Sequence, residues 1–432
     1  MTLLAKLAGS RRSVLLGNVA ARLAALGCVF VITLVLARDG GPAVVGVYAL
    51  LHVLPGLLGT VVSSGLPVSI PYFLAGPDRD DERLPSTLVA MALAGGSAGA
   101  LLWIGSAPVL GHLLFPDLST GLVMLAGVAV LSRLITIMAK ACSQGSEDLP
   151  GSNLVIFGEQ FMFLPAYGVL TLAGVHGFAI VVGSLLLSDT STSTVAWTRL
   201  ARRGLFRSWT RPSLRLARKI AHYGMRAQVG GVMTQLNLRL DFVILTLLTG
   251  PAVVGVYAVA SKFAELVRIL GMALTYVFYP RFARERRVRA AENVRALIPK
   301  AAGLTAAMVV PLWIAAGFVI PAFYGSKFDS AVTPTRIILL GLALDGVAGV
   351  VAAFLYGIGR PGLYSLAIGA GLVATVVLDL VLIPPFETIG AATASAVAYL
   401  TTSLGVLALF WWLGRPERAA QWEEPLPSVD TG

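Results

Sequence analysis

Apolar residues run through this chain in stretches of about 20, each ended by charge, Gly or Pro, and a helix rising about 1.5 Å per residue needs that length to cross roughly 30 Å of hydrocarbon. The pattern predicts twelve membrane-spanning helices, six in each half. In the first half they cover residues 14–37, 43–64, 88–104, 120–138, 154–172 and 177–197. The second half supplies 222–249, 253–277, 302–320, 336–356, 364–383 and 389–412. Connections as short as that between Thr249 and Val253 demand tight antiparallel hairpins, and no connection is long enough for a soluble domain. The expected class is an all-α polytopic membrane protein.

A repeat organises the spans. The string GPAVVGVYA occurs at Gly41 to Ala49 and again at Gly250 to Ala258, an offset of 209 residues, each time opening the second span of a six-span half. Pro71 and Phe73 map onto Pro280 and Phe282 at the same offset. An even number of spans per repeat makes both halves enter the membrane from one side. Such repeats are expected to be related by an axis along the membrane normal, with a cavity between them near the midplane. The string itself reads as a hairpin turn whose Gly46 and Gly255 allow close helix approach. The expected organisation is therefore an N-terminal six-helix bundle over 1–198, a basic linker over 199–221, a C-terminal six-helix bundle over 222–414 and a tail over 415–432.

Composition agrees with the pattern: of 432 residues 56% are hydrophobic and only 13% charged. A soluble protein carries about a quarter charged. The net charge of +11 would suggest nucleic acid if the basic residues formed one surface, but they sort by side. Of the 33 Lys and Arg, 24 fall on the side of the N-terminus, two on the other, and seven within spans. By the positive-inside rule both termini are cytoplasmic, and no nucleic-acid partner is expected. The first 30 residues look like a secretory signal, yet Arg22 interrupts the apolar run, so an uncleaved first span is expected. Cys28 and Cys142 show no metal spacing, and the acidic, Pro-containing stretch from Glu417 onward reads as a disordered tail.

A charge at mid-bilayer costs about 2.5 to 3.5 kcal/mol even on the lenient scale, so each one within a span demands a partner, a cavity or a function. The seventh and eighth spans hold most of them: Arg226, Gln228, Gln235, Asn237, Arg239 and Asp241, then Lys262, Glu265 and Arg268. The 209-residue offset sets Phe30, Ile32, Val53, Gly56 and Gly59 opposite Arg239, Asp241, Lys262, Glu265 and Arg268, so the first half carries no charge at these positions. Measured from the outer hairpin, Asp241 lies about 12 Å deep, Arg239 and Lys262 about 15 to 17 Å, Glu265 about 21 Å and Arg268 about 26 Å. These depths predict an Asp241–Lys262 pair and a Glu265–Arg268 pair. Four cations still outnumber two acids in this helix pair, which points to a cavity for an anion, although Asp345 and Asp379 of later spans would offset part of the surplus. The bland reading is a set of salt bridges fixing helix packing. Asn18 and Arg22 are the expected contributors from the first half. His52 reads as a hydrogen-bonded packing residue, and Asp379, near a span end, as a snorkelling one.

The chain has no glycine-rich Lys-Ser or Lys-Thr phosphate loop, no paired histidines at helical spacing and no Ser-His-acid set, which makes transport without covalent chemistry the economical reading. The segment AGPDRDDERLP departs from the major-facilitator signature after Asp78-Arg79.

The runs LARDGGPAVVGVYALLHVL and LRLDFVILTLLTGPAVVGVYAVASKFAELV, with YPRFAR, YGSKFDSA, YGIGRPG and LIPPFETIGAATASAVAYL in that order, resemble the polysaccharide-exporter branch of the multidrug/oligosaccharidyl-lipid/polysaccharide (MOP) flippase superfamily. The likeness extends from about Leu16 to Gly414. It implies a Wzx-type flippase that moves undecaprenyl-pyrophosphate-linked oligosaccharides across the bacterial inner membrane for O-antigen, capsule or exopolysaccharide assembly, by alternating access of a cationic central cavity. Pathway glycosyltransferases and a polymerase would be its partners beside the bilayer and the lipid-linked substrate.

On this reading Arg22, Arg226, Arg239, Lys262 and Arg268 are expected at the head-group phosphate. Asp241 and Glu265 are expected to couple to H+ or Na+ or to pair internally, and Asn18, Gln235 and Asn237 to line the cavity. No other cofactor and no metal are expected. A drug or small-molecule exporter of the same superfamily is the alternative, expected to show an acidic and aromatic cavity. An enzyme acting on lipid-linked sugars is the third reading.

Overall fold

The computed structural model describes residues 2–206 and 210–413, and the expected tail at 415–432 lies outside them. The described residues form helices and turns and no strand. In chain order the helices are α1 (Thr2–Val62), α2 (Leu66–Ala75), α3 (Leu84–Leu114), α4 (Thr120–Ala126), α5 (Val128–Gly145), α6 (Leu149–Phe161) and α7 (Phe163–Leu172). They continue with α8 (Phe178–Arg202), α9 (Leu214–Thr249), α10 (Pro251–Phe282), α11 (Arg287–Val319), α12 (Val332–Gly341), α13 (Asp345–Gly357) and α14 (Pro361–Leu413).

Nine helical stretches among the described residues are long and apolar enough to cross a membrane. Two of them, Gly17–Val62 and Pro361–Leu413, have 46 and 53 residues and are long enough to cross twice. Each is broken near its middle, α1 at Gly41 with φ of 70° and α14 at Glu387 with φ of 47°. The turn predicted at the first copy of the repeated string is therefore a sharp bend at a glycine, where a left-handed backbone is inexpensive. With these two second crossings and the charged α10, nine becomes twelve, as the apolar pattern predicts. Several edges move outward: α3 continues to Leu114, through what reads in the sequence as an outer loop, and α10 runs 32 residues. Exposed Leu101, Leu172, Phe318 and Leu366, each more than 60% accessible, are the apolar surface such a protein presents to lipid.

The chain divides into two compact units, one comprising the residues up to Gln235 with Gly250–Gly255, the other Leu236–Thr249 and the residues from Val256 onward. In the first unit α1 packs on α6, α5 on α8 and α3 on α5. Leu66, Ile70, Phe73, Leu88, Leu134 and Met138 form its core beside α2. In the second unit α14 packs on α12 and α13, and α11 on α13. Phe282, Val294, Val350, Phe354 and Phe410 are buried there.

Two devices hold the first unit. At the repeated string, a Cβ on Gly46 would overlap the carbonyl oxygen of Pro251, and one on Gly255 would overlap that of Pro42. The glycines of the two copies thus face each other, backbone against backbone, which is the packing role expected of them. The second device is Asp148, fully buried at the N-cap of α6, where Oδ1 accepts the Gly151 amide at 3.1 Å. Arg199 at the end of α8 donates to it through Nε at 2.7 Å and Nη2 at 2.9 Å, and Arg203 approaches to 3.4 Å. These bonds hold the Asp148 carboxyl below the usual aspartate range, the Arg199 hydrogen bonds contributing most.

Gly46→Val is expected to destabilise the protein by about 3 kcal/mol, because the intruding methyls meet backbone that cannot yield. Gly56→Val, with open space around it, should be near neutral. Thermal melting in detergent compares the two. For Asp148→Asn the wild-type advantage, about 1 to 2 kcal/mol once the exposure of both arginines is discounted, should stay constant between pH 7 and pH 5. It should close only as pH falls through about 4 toward the lowered folded value, since a depressed carboxyl stabilises the fold only while ionised.

Candidate functional site

The polar load of the seventh and eighth spans sits largely in the second unit, on the end of α9 and on α10. Arg239 and Lys262 both reach Glu265. Arg239 Nη2 donates to Oε1 at 3.2 Å, and Lys262 Nζ donates to Oε1 at 3.1 Å and Oε2 at 3.2 Å. The three side chains keep 27%, 20% and 25% of their surface accessible, so the group is not sealed in a core. One carboxylate balances one cation. The residual positive charge in a poorly screened setting is what an anion would neutralise. One turn further along α10, the Arg268 guanidinium lies over the Tyr399 ring at 5.3 Å, with Asp345 in electrostatic range.

The pairing differs from the one that depth predicts. Glu265 binds Lys262 and Arg239 rather than Arg268, and Asp241 does not pair with Lys262. Buried Asp241 instead accepts from Tyr257 Oη at 2.6 Å and Ser395 Oγ at 3.3 Å, with the Phe242 amide on its other oxygen at 2.9 Å. Helical phase explains the change: Asp241 lies two residues, about 200°, from Arg239 and faces α14. Tyr257 belongs to the second copy of GPAVVGVYA. Its counterpart Tyr48 packs edge-on against Phe163 at 5.3 Å, as Tyr257 does against Phe242, and the first half has Ile32 at the position of Asp241.

Asp379 is the largest departure from the expected arrangement. It does not snorkel: it is fully buried, and neither carboxylate oxygen has a hydrogen-bond partner among the described residues. Asp241 is its charged neighbour. Asn237 donates to the Ile368 carbonyl at 3.3 Å while its Oδ1 is left without a partner, as is Thr402 Oγ1. Asn237 and Thr402 both border Gly371 of α14, while Asp379 faces Asp241 of α9. The one signal for Asp379 in the sequence is an acid inside an apolar run.

The remaining expected residues belong to the first unit. Arg226 and Gln235 are exposed on the first part of α9, in the first unit. Arg22 Nε donates to Asn18 Oδ1 at 3.0 Å, and Asn18 Nδ2 to Asn153 Oδ1 at 2.8 Å, a chain joining α1 to α6. His52 is hydrogen-bonded, as expected, to Arg133, which also reaches Asp189 at 3.6 Å.

Residues 13–286 match the polysaccharide biosynthesis protein family. The chain belongs to that family. Among curated relatives, the probable low-salt glycan biosynthesis flippase Agl15 of Haloferax volcanii is 21% identical over 201 residues. That match covers 46% of this chain and 43% of the relative's length. The fold is shared with solved structures: the lipid II flippase MurJ in an inward closed conformation superposes with a TM-score of 0.74 at 13% identity, covering 92% of this chain and 89% of that one. An inward-facing multidrug resistance MATE transporter gives 0.73 at 16% identity, with 93% and 95% covered. Both confirm the expected all-helical membrane fold of this family member, and at these identities they speak for fold alone.

Because Glu265 ties two cations from two helices, Glu265→Gln should lower stability by about 1 to 3 kcal/mol, discounted for the accessible quarter of each side chain. Lys262→Met should recover part of this loss. Melting temperatures of both single variants and the double variant give the coupling, expected at about 1 kcal/mol or more.

Proposed function

We propose that the protein is a flippase that carries polyprenyl-pyrophosphate-linked oligosaccharide units across the bacterial inner membrane for O-antigen, capsule or exopolysaccharide assembly. The observation that carries this reading is the pair of cations, Arg239 and Lys262, sharing the single carboxylate of Glu265 at an accessible place inside a membrane-spanning unit. A pyrophosphate would draw the guanidinium and ammonium donors onto its oxygens, with Arg268 one turn away as a third cation. Family membership supports a role in polysaccharide biosynthesis, and the glycan biosynthesis flippase among the relatives supports flipping as the activity.

Transport proceeds by alternating access, the sugar crossing while the lipid tail stays in the bilayer, and no bond is made or broken. Both termini face the cytoplasm, where basic connections gather and the pathway's glycosyltransferases deliver the substrate; a polymerase takes the flipped unit on the other side. Coupling is assigned to Asp241 and Asp379, two buried acids with no salt bridge to a cation among the described residues. Taking up a proton or a sodium ion relieves the cost of burying both. Here Asp379 replaces Glu265, whose carboxylate is engaged by Lys262 and Arg239.

The test is complementation of a strain lacking the gene, read as surface polysaccharide at matched protein level. Two charge-assisted contacts of about 1.5 to 3 kcal/mol each predict that Arg239→Ala with Arg268→Ala lowers flipping by about a hundred-fold or more. Asp379→Asn should remove the dependence of transport on the ion gradient. Unchanged polysaccharide in the double variant would overturn the site. Drug resistance without a polysaccharide defect would favour instead a cation exporter, the use to which an acid pair like Asp241 and Asp379 is also suited.

A further inference from the structure

The charged end of α8 holds a feature that the transport reading does not use. A crevice of about 490 Å³ opens between α6 and α8, with Arg199, Arg202 and Arg203 around one part and Leu154 and Val195 lining another. Val195, Thr198, Arg199 and Arg202 recur at spacings of three and four, so they share one face of α8. That face is open: Val195 is 48% exposed, and Arg202 and Arg203 are exposed.

Charge in the crevice is unbalanced by construction. Asp148, sealed behind it, engages Arg199 through Nε and Nη2, which leaves Nη1 unused and fixes the guanidinium plane. Arg203 reaches the same carboxylate at 3.4 Å, and Arg202 has no hydrogen-bond or ion-pair partner among the described residues. Three guanidiniums against one carboxylate leave an excess of two positive charges. Of the apolar part, Val195 lies within the membrane-spanning stretch Phe178–Arg202 and Leu154 within Leu149–Leu172; Arg199 and Arg202 stand at the end of the former, with Arg203 just past it. An occupant must therefore bring negative charge to the boundary and hydrocarbon below it, which a soluble phosphate or an acidic peptide does not.

We infer that this crevice is a binding site for an anionic glycerophospholipid, its phosphodiester held by Arg199, Arg202 and Arg203 and an acyl chain lying along Leu154 and Val195. Each arginine near a membrane surface adds about 1 kcal/mol of attraction for anionic lipid, equivalent to about five-fold in binding. The site is independent of the proposed substrate, since none of its residues belongs to the α9–α10 cluster.

Full-length protein in detergent, mixed with equimolar phosphatidylglycerol and phosphatidylcholine, is examined by native mass spectrometry. The wild type should retain phosphatidylglycerol preferentially, and R202Q/R203Q should lose at least about five-fold of that preference, with a melting temperature lowered only by the loss of the 3.4 Å Arg203–Asp148 contact, since Arg199 still holds Asp148. Single R202Q and R203Q variants, run alongside, should each lose part, so that unfolding of the double variant would not decide the matter. R211Q/R215Q makes the same change of net charge on the neighbouring connection and the first turn of α9, and should bind as the wild type does. Equal loss in R211Q/R215Q, or no preference in the wild type, overturns the site. Farnesyl pyrophosphate or inorganic pyrophosphate displacing the bound lipid from the wild type would equally overturn it, in favour of a polyprenyl or a free phosphate site.

Discussion

The energy of a charge in hydrocarbon governs the arrangement of this protein. With only 13% of its residues charged and most of those at the ends of spans, each ionisable group inside a span is costly, and the structure shows how nearly every one is handled. Arg133 is set between His52 and Asp189, Arg239 and Lys262 share Glu265, and Arg268 lies over an aromatic ring. At the end of a span the same logic gives Asp148 two arginines and a helix N-cap. Against this background a fully buried Asp379 without a hydrogen-bond partner among the described residues, beside a second acid, stands out as a departure that packing does not account for.

The internal repeat separates scaffold from specialisation. Both copies of GPAVVGVYA provide the same turn and the same glycine contact, Gly46 against Gly255, and both provide a buried tyrosine. The chemistry around those tyrosines diverges. Tyr257 donates to a carboxylate that no residue of the first half matches, and the positions equivalent to Arg239, Lys262, Glu265 and Arg268 are apolar or glycine. One half therefore repeats the architecture of the other, and the second adds most of the charged groups within the spans.

The same economy places positive charge at the span ends. Arginines at the end of α8 serve packing through Asp148 and still leave donors directed at the crevice beside α6. A basic residue at the end of a span is thereby available for a second task, because a guanidinium has five donors and a single carboxylate takes two of them.

Spans, their number, the repeat and the sorting of basic residues were legible in the sequence, because crossing hydrocarbon imposes a length and a composition on each segment by itself. The identity of the polar segments was legible for the same reason: Arg239, Lys262, Glu265 and Arg268 are conspicuous in apolar runs. Which charge meets which was not. Depth along a helix is a one-dimensional measure, and it set Asp241 beside Lys262. The angular position of Asp241 on α9, together with α14 returning Ser395 and Asp379 from some 140 residues away in sequence, decided otherwise. Asp379 looked like a span-end residue because α14 reads as two spans with an uncertain boundary; in the folded chain the break falls later, at Glu387, and the acid is enclosed. Partners and enclosure depend on which helices lie side by side, and the helices that settle them here are far apart in the chain.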